Sequence, residues 1–85
     1  MTPETIQEHL HRQPFQPFRV FLSDGSEYDV RHPEMVFVMR REVIIALPQR
    51  GGQFPEHAVY CDPLHITRIE PIDGRGANSQ PKRRR

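Results

Sequence analysis

At 85 residues the chain has room for one hydrophobic core, and a two-domain organisation is excluded. A domain of this size hides only about 60% of the surface its unfolded chain exposes, so the core is thin and self-association would strengthen it. The single Cys61 forms no internal disulfide, nothing at the N-terminus resembles a basic segment followed by an apolar signal core, and the apolar runs Met35–Met39 and Val43–Leu47 fall far short of a bilayer span; a reducing, cytoplasmic setting without membrane passage is expected.

The net charge of +1 conceals a division along the chain. Residues 73–85 hold Arg75, Lys82, Arg83, Arg84 and Arg85 against Asp73, a balance of +4. Residues 1–72 hold seven basic against ten acidic side chains, a balance of −3. A broad phosphate-binding face on the folded part is therefore not expected, and electrostatic attraction for nucleic acid is concentrated in the basic arm.

Thr2 followed by Pro3, with Glu4 in the first turn, predicts a helix from Pro3 to about Gln13. Its apolar stripe is only Ile6 and Leu10, and Pro14 and Pro17 forbid continuation, so the helix acts as a lid. From Phe18 the period becomes two, which predicts a strand to Leu22, a turn at Ser23-Asp24-Gly25 and a second strand carrying Tyr28 and Val30. His32-Pro33-Glu34 breaks the chain. Met35–Met39 and Glu42–Leu47 form a second hairpin about Arg40-Arg41, and Pro48–Pro55, with Gly51-Gly52, reads as a loop. A short strand His57–Cys61, one 3₁₀ turn at Asp62–His65 and a last strand Ile66–Pro71 complete the domain. Residues 73–85 read as a disordered basic tail.

One helix and five or six short strands, mainly β, outline a small closed barrel, which removes exposed sheet edges. The second hairpin is apolar on both faces although one suffices for a core, so the helix or a second subunit must cover the other face. Phe21, Phe37, Met39 and Ile44 are the candidate residues for that contact.

The run PFQPFRVFLSDGSEYDVRHPEMVFV (14–38), with VIIALP (43–48) and HITRIEPI (65–72), resembles a group of short bacterial proteins of unassigned function. More distantly, a helix before VFLSDG (20–25) and the segment VYCDPLHITRIEP (59–71) resemble Sm-like barrels, including those of the Hfq type. That resemblance implies an Sm-like or SH3-like barrel and RNA as a ligand. In the Hfq type a Lys-His pair follows the Val-Tyr pair and lines the RNA site; Cys61 and Asp62 stand there in this chain, replacing a base with an acid.

Cys61, Asp62 and His65 lie close in sequence, but Cys61 continues the inward alternation of Val59 and no third group is placed to orient the histidine. No catalytic residue is assigned and no enzyme is expected. His9, His11, His32, His57 and His65 show no metal-ligand spacing, so neither metal nor cofactor is called for. Polar or phosphate contacts fall to Arg31 and His32 in the chain break, Arg40 and Arg41 at the hairpin tip, and Lys82, Arg83, Arg84 and Arg85 in the tail. The expectation is a non-enzymatic binding module that self-associates or docks a protein, with nucleic-acid binding as the alternative.

Overall fold

The computed structural model describes residues 1–48 and 54–72. Thr2, extended at φ −78° and ψ 150°, caps helix α1 (Pro3–Leu10) by accepting from the Thr5 amide at 3.2 Å. The helix stops at Leu10, three residues before the expected end, and His11 closes it with an amide bond to the Gln7 carbonyl. The early stop follows from Pro14, which disfavours helical geometry at Gln13 and leaves the preceding turn without a continuing ladder.

Six strands follow: β1 (Phe18–Leu22), β2 (Glu27–Val30), β3 (Val36–Val38), β4 (Val43–Pro48), β5 (Pro55–Cys61) and β6 (Ile66–Pro71). They form two three-stranded antiparallel sheets, ordered β2-β1-β6 and β3-β4-β5. A single 3₁₀ turn, Pro33–Met35, separates β2 from β3, and a second, Pro63–His65, separates β5 from β6. Met35 thus belongs to the turn before β3 and not to the strand. Pro33 supplies the fixed φ that starts this turn and cannot donate to a ladder, which ends β2. β5 begins two residues before the expected His57, because Pro48↔Pro55 pairing extends the β4–β5 ladder across an irregularity. The expected loop overlaps residues 49–53, and the expected tail is residues 73–85; both lie outside the described residues.

Between β1 and β2 the chain turns through Ser23, Asp24 and Gly25, closed by Leu22 and Ser26. The Gly25 amide bonds to the Leu22 carbonyl at 3.0 Å, the Leu22 amide bonds to the Ser26 carbonyl at 2.9 Å, and Gly25 takes φ 93°. This is a turn closed by a left-handed residue, a conformation that favours glycine.

One core unites the elements. Ile6 and Leu10 of α1 meet Phe18 and Val20 of β1, Val30 of β2, Val36 of β3, Val43 and Ile45 of β4, and Ile66 of β6 in a single buried cluster. The helix packs on the side of Val36, Val43 and Ile45, the inward residues of β3 and β4. Among the described residues it therefore does not cover the opposite face of that hairpin. No described helix is long and apolar enough to cross a membrane.

Candidate functional site

Cross-strand register builds the outer face of the β3-β4-β5 sheet. Phe37 pairs with Ile44, and Ile44 pairs with Tyr60, so three large side chains form one row across all three strands. Ala46 and Ala58 form the next row. The inward neighbours Val36, Val43 and Ile45 are buried, so the period-two alternation turns the row toward solvent. Phe37 is 69% exposed and Tyr60 65%, while Ile44 between them is half-buried. Met39, 50% exposed, lies just beyond β3, where its amide bonds to the Glu42 carbonyl at 2.8 Å.

Of the four apolar residues named from sequence, the structure brings Phe37, Ile44 and Met39 to this hairpin. Phe21 stands apart in β1 of the other sheet, paired with Arg68 of β6, whose guanidinium lies 3.8 Å from its ring centre. Tyr60 is absent from the sequence-based set. Its signal was the alternation that turns Val59 and Cys61 inward, which obliges Tyr60 to point out.

The polar candidates are dispersed. Arg31 donates to Asp29 Oδ2, two residues back, at 3.4 Å. Asp29 is shared with Arg19, whose Nε donates to Oδ1 at 2.6 Å. That hydrogen bond raises the Arg19 pKa, against the opposing effect of partial burial. His32 is exposed at the start of the first 3₁₀ turn and makes no side-chain cap. Arg40 and Arg41 are exposed between β3 and β4, and neither forms an ion pair among the described residues. Lys82, Arg83, Arg84 and Arg85 lie outside the described residues.

A second feature was not legible as a unit. The β1–β2 turn, the end of β5 and the turn before β6 enclose an open cleft of ≈ 520 Å³, lined among others by Ser23, Asp24, Tyr28, Tyr60, Asp62 and His65. Ser23 Oγ and His65 Nδ1 are 3.0 Å apart across it, and the Ser23 amide donates to the His65 carbonyl at 2.8 Å. Asp24 accepts the hydroxyl and amide of Ser26, which lowers its pKa. Burial pushes the Cys61 thiol up, and the carboxylates of Asp62, Asp24 and Glu42 push it further. Such a sulfur stays protonated and is a weak nucleophile at neutral pH. Among the described residues no three His, Cys, Asp or Glu side chains are grouped to hold a metal ion.

Comparison of the chain with family models, with curated proteins and with solved structures finds no match. The functional reading therefore rests on the sheet face and the cleft themselves.

Proposed function

We propose that this chain is a small barrel-type binding module, of the Sm-like or SH3-like kind, that associates with a second copy of itself through the outer face of the β3-β4-β5 sheet. The observation that carries the reading is the Phe37–Ile44–Tyr60 row, three large apolar or aromatic side chains in adjacent register on a face that no element among the described residues covers. Such a row is rare on a solvent-facing sheet of an independent monomer, where polar residues normally alternate outward. The short connection between β2 and β3, and one core shared by both sheets, support the barrel reading. A second copy is favoured as occupant because the core holds nine buried apolar side chains among the described residues, a small number that an interface would enlarge. No chemical step is assigned to the module.

The test is solution mass by light scattering on the wild-type chain and on Phe37→Glu. A mass above the monomer that falls to the monomer in the folded variant supports the reading. A wild-type monomer at high concentration excludes self-association and directs the same face to a different protein. The rival reading, nucleic-acid binding by Arg40, Arg41 and the basic arm, is favoured by the two arginines at the hairpin tip, which form no ion pair among the described residues. It requires RNA affinity at low salt that falls steeply as salt is added.

A further inference from the structure

The cleft between the β1–β2 turn and the turn before β6 adjoins the apolar row, sharing Tyr60 with it, and adds charged and polar groups that the row lacks. Tyr28 and Tyr60 contribute aromatic rings, Asp24 and Asp62 contribute carboxylates, and Ser23 and His65 contribute a hydroxyl and an imidazole. Each aspartate spends one oxygen on its own turn: Asp24 Oδ1 on Ser26 and Asp62 Oδ1 on the Leu64 amide at 2.9 Å. The Oδ2 atoms have no hydrogen-bond partner among the described residues, and neither aspartate is in an ion pair there. Glu42 adds a third carboxylate near the Cys61 sulfur on the cleft wall. A concave surface of free carboxylate oxygens and aromatic rings suits guanidinium and ammonium groups, through charge-assisted hydrogen bonds and cation–π contact. The chain already uses the second mode where Arg68 lies over Phe21.

We propose that this cleft is a receptor for a lysine- and arginine-rich segment, and that its occupant is the chain's own basic arm, with Lys82–Arg85 seated among Asp24, Asp62, Tyr28 and Tyr60. Charge supports the match, since residues 73–85 carry +4 and residues 1–72 carry −3. Reach supports it as well. The described chain ends at Ile72, whose amide bonds to Pro17 at the far end of β1, and β6 runs from there back to the cleft at His65, roughly 20 Å at the strand rise of about 3.3 Å per residue. Lys82 lies ten residues beyond Ile72. Ten residues of unconstrained chain have an r.m.s. span of about 17 Å and a limit of about 35 Å, so their length is sufficient to reach the cleft. Tethering at that distance gives an effective concentration on the order of millimolar, enough for a weak electrostatic contact to be populated. Docking would also withdraw the strongest cationic segment from any polyanion. This goes beyond the self-association reading and does not depend on it.

The experiment compares backbone amide spectra of the full-length chain with those of a full-length variant carrying Lys82→Gln, Arg83→Gln, Arg84→Gln and Arg85→Gln, each at low and high salt. Neutralising the arm should move the Ser23–Ser26 and Tyr60–His65 amides at low salt. High salt should move the wild-type peaks to the variant's positions. In an Asp24→Asn, Asp62→Asn background, where asparagine keeps both turn acceptors, the arm substitutions should move these peaks little. Unmoved cleft amides in the first comparison overturn the proposal, and that comparison leaves the folded part unchanged. Shifts confined to other surfaces overturn the site. Cleft shifts that grow with protein concentration overturn docking within one chain and place the arm in a neighbouring copy.

Discussion

Phe18 and Phe37 show how position decides what a side chain contributes. Phe18 is 2% exposed and touches Phe15 and His9 at ring-centre distances of 5.9 and 5.5 Å, whereas Phe37 stands in solvent. Truncating a buried phenylalanine removes its transfer free energy and leaves a cavity, about 3–5 kcal/mol together, comparable with the low end of the stability of a whole small domain. Phe18→Ala should therefore be largely unfolded without denaturant. Phe37→Ser, measured at low protein concentration, should lose less than about 1 kcal/mol, the scale of one cross-strand pair. Urea denaturation of both variants checks the contrast. Cys61 carries a second prediction. Its folded pKa is raised by burial and then by Asp62, Asp24 and Glu42, so below the unfolded value of about 8.5 both states keep the proton and its contribution is intact. As pH rises toward the higher folded value the unfolded chain loses the proton first, and stability falls. Alkylation by iodoacetamide at pH 7 should be slower in the folded chain than in urea, and alkaline destabilisation above about pH 8.5 should weaken in Cys61→Ala. Equal alkylation rates in the two states would show a thiol unaffected by its surroundings.

Among the elements, the β1–β2 turn isolates a backbone effect. Gly25 sits at φ 93°, and a Cβ added there meets nothing within 4 Å, so a substitution is opposed by backbone conformation alone. Gly25→Ala should cost roughly 1 kcal/mol and Gly25→Asn less, since asparagine tolerates the left-handed region better; a shift in urea midpoint at unchanged slope is the expected signature. This turn was legible because its chemistry is local, as were β1, β6 and the 3₁₀ turn that Asp62 and Pro63 start. The helix end was misplaced because Pro14 acts on residues before it. The start of β5 was misplaced because Pro55 joins the strand through pairing with Pro48, not through any pattern of its own. For the candidate site, alternation located Phe37 and Ile44 on one face, but it cannot assign strands to sheets, so Phe21 was grouped with residues of the other sheet. The cleft was not legible because it joins Ser23 to His65, 42 positions apart, through the β1–β6 register.

At the scale of the molecule, two sheets and a helix share a core of nine buried apolar side chains among the described residues, while a further apolar surface, the Phe37–Ile44–Tyr60 row, stays outside it. If that row is buried between copies, folding and association are linked, because a second copy binds the folded face and not the unfolded chain. Mass action then makes apparent stability depend on protein concentration, by about half of RT ln of the concentration ratio per chain once dimerisation is saturated, because free protomer then rises as the square root of the total. A hundredfold increase in wild-type protein should therefore raise apparent stability by about 1.4 kcal/mol per chain, which for a domain under 100 residues moves the thermal midpoint by roughly 5–10 °C. Tyr60→Lys places a charge in the row without touching the core, so it should abolish this dependence and leave the dilute-solution midpoint nearly unchanged. Scanning calorimetry of both chains at two concentrations measures the effect. A wild-type midpoint that does not move with concentration would mean that the nine-residue core sustains the fold alone and that the row awaits a different protein.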